Sequence, residues 1–304
     1  MTAQTCARPG ARPLAPRTMA GQGRRSALGV AAGAGLAGLF GPGARCALRI
    51  MPAAIASVGA LPAARAAGPR IALVIGNSLY PGGNRLENPG RDAQAIGSTL
   101  ASMGFEVELR QDLTAAEMQA RIEAFYRRGR DAEGTLFFFA GHGKQVRGVN
   151  VLLPIDVPLT RRGEPVPAGE LLERAVALDD VIARAGSAPA NWNLIVVDAC
   201  RDKTAPTRGI GGLPGFRPVA APRGTLVAFS TAPGARARDG VPGSNGLYTR
   251  HLLQHLKTPG IAVEEMFKRV RAGVFAETAA EQPQVPWEST SLIGELRLAG
   301  AASP

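Results

Sequence analysis

Acidic residues are missing from the first part of the chain: among 304 residues, the first Asp or Glu is Glu87. Overall, 35 Lys+Arg face 24 Asp+Glu, a formal charge of +11 that taken alone suggests nucleic acid or an anionic membrane as partner. Eight arginines (Arg8, Arg12, Arg17, Arg24, Arg25, Arg45, Arg49 and Arg65) lie within residues 1–66, and without them 27 basic and 24 acidic residues remain, a net +3. The basic excess therefore belongs to the N-terminal segment, and no nucleic-acid partner is expected for the rest. Cysteine is scarce as well, with Cys6, Cys46 and Cys200 only. Loss of the N-terminal segment would leave Cys200 alone, which excludes a disulfide framework in the mature domain. No apolar stretch reaches the roughly 18–20 residues of a membrane span. Nucleotide-binding signatures are also absent. Gly76 is not followed by G-x-G-x-x-G spacing, and around Gly143-Lys144 the P-loop positions hold Phe138 and Gln145. Ser230 has Ala228 and Ala232 where a serine-hydrolase elbow needs glycines. With 45 % hydrophobic and 19 % charged residues, the chain is neither disordered throughout nor a coiled coil. Its length suits one large α/β domain or two small ones.

Residues 1–66 are rich in Ala, Gly, Pro and Arg. Arg24-Arg25 precedes an apolar stretch from Ala27 to Phe40, and a second stretch from Ile50 to Leu61 leads to Ala64-Arg65-Ala66. A basic start, an apolar run of roughly 7–15 residues and an A-x-A site describe an export signal, and the paired arginines raise the twin-arginine route. Arg45 and Arg49 interrupt the apolar run, so an anchoring helix or a disordered basic tail remain as alternatives. The expected division is an export or disordered leader over 1–66 and a folded domain over 67–304. The domain is expected to be exported, periplasmic or secreted, without membrane attachment in its mature form.

From Arg70 onward, strands and helices alternate. Ile71–Ile75, Thr135–Ala140, Leu194–Val197 and Thr225–Ser230 are short continuous apolar runs, the pattern of strands covered on both faces. Phe105–Leu109 alternates and reads as a further strand, as does Leu292–Leu298 at an edge; Val151–Leu153 is an extra candidate. Ala93, Ile96, Leu100 and Met103 fall at helical spacing ahead of Gly104. Thr114 and Glu117 form a capping box before Met118, Ile122 and Phe125. Asp179-Asp180 opens a short helix to Ala185, and helices are expected over Leu247–Leu256 and Val263–Phe275. This order argues for a mostly parallel sheet between two helical layers, with the site beyond the C-terminal strand ends. The stretch from Arg201 to Arg223, rich in Gly, Pro and Arg, is too long for a tight connection and reads as a functional loop.

Two strand ends carry chemistry. Phe137-Phe-Phe-Ala-Gly-His142-Gly143 sets a histidine after one buried strand, and Val196-Val-Asp198-Ala-Cys200 sets a thiol after another. Neighbouring strands lie about 4.8 Å apart, so the two side chains can converge as nucleophile and acid/base. Gly143 leaves its backbone N–H open to an oxyanion, and the Cys200 N–H is the second candidate donor. Each residue also has a plain structural reading, a small buried hydrophobe for Cys200 and a turn residue for His142. His251 and His255, four apart on one expected helix, read as a helix surface because no third metal ligand accompanies them.

Gly141-His142-Gly143 followed 58 residues later by Cys200, within Asp198-Ala-Cys200-Arg201-Asp202, resembles the caspase-like superfamily of cysteine peptidases. The likeness extends over Arg70 to Leu298 and includes Val74-Ile-Gly-Asn77, Asn88-Pro89 with Asp92, Pro154-Ile-Asp156, Thr231-Ala-Pro-Gly234 and Asn245-Gly-Leu-Tyr248. Within the superfamily it is similar to the bacterial branch close to metacaspases and orthocaspases. The resemblance implies a three-layer α/β/α sandwich with a mostly parallel central sheet of about six strands, and a Cys200–His142 dyad. True caspases carry Gln two residues before the cysteine; Asp198 stands there in this chain. In metacaspase-like proteins an acidic residue at that position, with one matching Asp92, lines a pocket for Arg or Lys. Protein or peptide substrates cut after basic residues are thus expected, and a carboxylate pair suits a guanidinium. The competing reading has Asp92 capping its helix and Asp198 binding local backbone N–H groups. The resemblance also raises calcium, with Asp156, Asp179 and Asp180 near matching positions, although Thr207 stands where a further acid is expected. No other cofactor is implied. Self-cleavage in the loop after Cys200, for example at Arg208 or Arg217, is a further expectation. A non-catalytic caspase-like binding or scaffold module is the alternative from another class.

Overall fold

A computed structural model describes residues 68–161, 164–188, 190–200, 215–235, 237–238, 240–241 and 243–300, and of Cys200 it describes the backbone. The leader over 1–66 and loop residues Arg201, Lys203, Thr207 and Arg208 lie outside the described residues.

In chain order the elements are β1 (Arg70–Gly76), α1 (Pro89–Ser102), β2 (Glu106–Gln111), α2 (Ala115–Arg128), β3 (Gly134–Val146) and β4 (Val149–Leu152). A small hairpin of β5 (Thr160–Arg161) and β6 (Glu164–Pro165) follows, then α3 (Ala168–Arg174), β7 (Val176–Ala177), α4 (Leu178–Ser187) and β8 (Trp192–Cys200). The chain closes with β9 (Thr225–Phe229), α5 (Leu247–Leu256), α6 (Val263–Thr278) and β10 (Trp287–Thr290). The main sheet runs β10-β9-β8-β3-β1-β2. All its pairings are parallel except that of β10 with β9. The end of β3 continues beyond this sheet and pairs antiparallel with β4, which in turn carries β7.

The apolar runs are continuous because both faces of the sheet are covered. Leu136, Phe138 and Ala140 of β3, with Leu194 and Val196 of β8, pack with Ile96 and Leu100 of α1, Leu252 of α5 and Phe267 and Val270 of α6. The intervening Phe137, Phe139, Ile195 and Val197 pack with Met118, Ile122 and Phe125 of α2 and Val181 of α4. The period of two along the strands thus sorts one sequence run into two helical interfaces, giving the three-layer α/β/α sandwich. Each fully buried Leu, Ile or Phe contributes about 1.5–3 kcal/mol to this arrangement. The capping box of α2 is formed: Thr114 Oγ1 accepts from the Glu117 N–H, and Glu117 returns to the Thr114 N–H at 2.9 Å.

Two local expectations change. The edge strand is β10, and Leu292–Leu298 is not a strand. Leu292, Leu296 and Leu298 still pack on the core beside α5 and α6, so alternation arose from chain lying over an apolar surface rather than from ladder pairing. Strand β3 does not stop at Ala140 but runs through His142 to Val146. The short α3 and the β5–β6 hairpin have no sequence counterpart; α3 buries only Leu171, which leaves no apolar period to read. Among the described residues, no helix is long and apolar enough to cross a membrane.

Candidate active site

Strand register brings the two candidate dyad residues side by side. His142 and Cys200 are Cα partners in the parallel pairing of β3 with β8, and they form its last pair. That place is the C-terminal edge of the sheet, where side chains from adjacent strands converge on one cleft. His142 is buried, at 3 % exposure. Its Nε2 lies 2.8 Å from the carbonyl oxygen of Asn84. A carbonyl only accepts, so Nε2 carries the proton and Nδ1 is the basic nitrogen of the neutral ring. The Asn84 carbonyl is offered by the Pro81-Gly82-Gly83-Asn84 turn. Gly82 and Gly83 adopt φ of 69° and 80°, and the Asn84 amide donates back to the Pro81 carbonyl at 2.9 Å. Both flanking glycines are required for space. A Cβ on Gly141 would lie 2.6 Å from the Tyr80 hydroxyl, and one on Gly143 would lie 2.4 Å from Phe216 Cζ and 2.8 Å from Ala199 Cβ.

The two candidate pocket carboxylates each bond to residues at the start of α5. Asp92 is buried in the first turn of α1. Its Oδ1 accepts from the Asn245 side-chain amide at 2.9 Å and from the Gly246 N–H at 2.8 Å. Asp198 is buried two residues before Cys200 on β8, and its Oδ2 accepts from Thr249 Oγ1 at 2.7 Å. Asp92 therefore does not cap its own helix, whose N-cap is Asn88. It ties α1 to the N-terminus of α5 across 154 residues of sequence. The positive end of the α5 dipole favours negative charge at this place. Tyr248, fully buried in the same turn, has its phenol pushed far above the ordinary range, first by burial and then by the Asp198 charge. The strand end of β3 and β8 thus carries a buried imidazole paired in register with Cys200, and Asp198 lies two residues before that cysteine on β8.

The calcium candidates are dispersed. Asp156 Oδ1 accepts the Ala115 N–H at the start of α2, Asp179 pairs with Arg217, and Asp180 lies in the first turn of α4. Among the described residues no three His, Cys, Asp or Glu side chains cluster for a metal, whereas calcium requires six to eight oxygens. These residues do not fit a calcium ion. His251 bonds to Glu277 across the α5–α6 seam at 2.9 Å and takes no part in the site.

Several contributors had weak signals in sequence. Asn84 acts through its backbone, so its side chain gave no clue beyond a turn. Tyr80 sits in a polar stretch between β1 and α1. Asn245 opens the Asn245-Gly-Leu-Tyr248 segment and Thr249 follows it; the segment carries a motif whose role the sequence does not state.

The caspase-domain model of the peptidase C14 family matches residues 69–297. Among curated proteins, mucosa-associated lymphoid tissue lymphoma translocation protein 1 of Homo sapiens is 25 % identical over 134 residues, 44 % of this chain. Its Mus musculus homolog matches to the same extent. The chain spans only 15 % of the length of these relatives. Among solved structures, caspase-1 from Spodoptera frugiperda superposes with a TM-score of 0.56 at 17 % identity, covering 78 % of this chain and 92 % of that one. The pro-form, pro-sf-caspase-1, gives 0.56 at 15 % identity, with 77 % and 92 % coverage. At these identities the structural likeness speaks for the fold.

Proposed function

The chain belongs to the caspase-domain family of peptidases, and from that premise we propose that it is a cysteine endopeptidase with a His142–Cys200 dyad that cuts after Arg or Lys. The observation that carries this reading is the strand register pairing His142 with Cys200, with the imidazole tautomer fixed by the Asn84 carbonyl. In the proposed reaction His142 Nδ1 takes the thiol proton and the thiolate attacks the scissile carbonyl carbon. The backbone N–H groups of Gly143 and Cys200 stabilise the oxyanion. The imidazolium then protonates the leaving amine, and water releases the acyl group. The Asp92 and Asp198 carboxylates support a cationic side chain at the residue before the cut. Self-cleavage in the loop after Cys200 and export through the basic leader over 1–66 belong to the same proposal. Sequencing the N-terminus of protein recovered outside the cytoplasm checks the leader; a chain still beginning at Met1 would overturn its removal.

Short fluorogenic peptides ending in Arg, Lys or Asp test the activity, comparing the natural chain with Cys200→Ala. Arg and Lys peptides are expected to be cleaved, the Asp peptide at least about a hundredfold more slowly, and none by Cys200→Ala. Activity that survives Cys200→Ala sinks the dyad. A preference for Asp sinks the basic pocket and leaves the dyad standing.

A further inference from the structure

We propose that Tyr80 is a positioning residue for His142, holding both the strand end and the ring that the dyad requires. This inference rests on the catalytic reading of His142. Strand β1 ends its pairing with β3 at Gly76 and Ala140, and the Asn77 N–H still reaches the Ala140 carbonyl. Beyond that point β1 offers His142 no further strand partner. The Tyr80 hydroxyl takes over, accepting the His142 N–H at 3.0 Å while donating to the Leu153 carbonyl at 2.8 Å. Leu153 in turn donates its own N–H to the His142 carbonyl at 3.0 Å. One hydroxyl thus closes a ring of bonds around the backbone of the histidine. The same side chain also meets the imidazole: the two ring centroids lie 4.4 Å apart at 61°, an edge-to-face contact. Tyr80 therefore limits both freedoms that would spoil proton transfer, backbone slippage at the strand end and rotation of the imidazole away from the Asn84 carbonyl.

Tyr80 is itself built into place. The Ser78 and Leu79 N–H groups donate to Asp112 Oδ1 at 2.7 and 2.8 Å, and the Asn77 amide donates to the Leu153 carbonyl at 3.2 Å. Gly141 completes the arrangement, because any Cβ there would lie 2.6 Å from the Tyr80 hydroxyl. Tyr80 is 4 % exposed and packs with Val146, Val151 and Leu153, so a purely structural role is the competing explanation. Removing only the hydroxyl separates the two.

The test uses the full chain and compares Tyr80→Phe and Tyr80→Ala with the natural protein, each at its measured folded fraction. Alkylation of Cys200 by iodoacetamide, followed by peptide mass from pH 5 to 9, reports the thiolate without any substrate. Tyr80→Phe is expected to fold, to lower kcat about tenfold with KM within about twofold, and to shift the alkylation profile. Tyr80→Ala is expected to lose more on both counts. An unchanged kcat per folded molecule in Tyr80→Phe, with a superimposable alkylation profile, overturns the proposal. Should the natural chain hydrolyse no peptide, the catalytic reading fails separately. The imidazole nitrogen NMR spectrum of His142 then decides the positioning. An Nε2-protonated ring in the natural chain that becomes a tautomer mixture in Tyr80→Phe upholds it, and identical spectra overturn it.

Discussion

Asp92 combines two duties that one substitution can separate. Its Oδ1 fastens the start of α5 through the Asn245 amide and the Gly246 N–H, and its charge supports the proposed cationic pocket. Asp92→Asn keeps an oxygen able to accept both bonds and removes the charge. Its expected effect is a drop of about tenfold to a hundredfold in kcat/KM on Arg peptides, the worth of one charge-assisted hydrogen bond. The thermal midpoint should stay within a few degrees. Asp92→Ala loses the acceptor as well and should cost about 1–3 kcal/mol of stability in denaturant titration. If Asp92→Asn cleaves Arg peptides at the natural rate, Asp92 is a fastening residue alone. Thr249 offers the complementary case, because its hydroxyl is buried against Asp198 at 2.7 Å. Thr249→Val preserves shape and removes one donor, so Asp198 can turn. A rise in KM for Arg peptides, with kcat little changed, is the expected reading of steady-state kinetics.

The seam between α5 and α6 has its own pH dependence, distinct from catalysis. Burial first, then the charges of Arg269 and His251, hold the His255 imidazole below its ordinary value of 6.5. The unfolded chain therefore takes up a proton before the folded one does, and stability falls as pH drops through about 6.5 until the folded imidazole also titrates. Glu277, bonded to Arg250 and His251, is held below its ordinary 4.5, so its contribution is present above that value and fades only below it. The windows do not overlap. His255→Gln should flatten the fall in thermal midpoint between about pH 7.5 and 5.5 while leaving the loss below pH 4.5; an unchanged curve across the upper window refutes the assignment. Elements of this kind were legible where burial writes a period into the sequence. The helical spacing of Ile96 and Leu100, the capping box of Thr114 and Glu117, and the unbroken run Phe137-Phe-Phe139 each found their element. Leu292–Leu298 misled because alternation follows burial on one side whether or not a ladder forms. The site shows the same limit. His142 and Cys200 stood out by residue type at strand ends, whereas the Asn84 carbonyl and the Thr249 hydroxyl act through contacts 58 and 51 residues away in sequence.

Across the whole molecule, the sheet is shared by two halves that a cut after Cys200 would separate covalently. The first half supplies β1, β2, β3 and β8; the second supplies β9, β10, α5 and α6. Between them, Asn193–Val197 of β8 pair with Thr225–Phe229 of β9, and Leu252, Phe267 and Val270 bury against the strands and helix of the first half. None of these contacts depends on the connecting loop. Of the two candidate cleavage sites, Arg217 lies among the described residues. Arg217 is clasped by Asn150, whose Oδ1 accepts the Arg217 N–H at 2.8 Å and whose amide donates to the Arg217 carbonyl at 2.9 Å. Its guanidinium pairs with Asp179, the neighbouring Phe216 ring packs on Phe229 at 5.4 Å, and Pro218 follows. A peptide bond so engaged cannot extend into a protease cleft without first losing those contacts. Arg208 lies outside the described residues and ahead of the clasp. Self-cleavage should therefore leave a C-terminal fragment that begins before Gly215, with the clasp intact and the halves together. Incubated protein is expected to give two bands in denaturing electrophoresis and one peak in gel filtration. N-terminal sequencing of the smaller fragment should find no chain starting at Pro218. Arg208→Ala should block or displace the cut, whereas Arg217→Ala should permit it. Fragments that part without denaturant would mean that the β8–β9 pairing and the α5–α6 layer are too weak to hold the halves together.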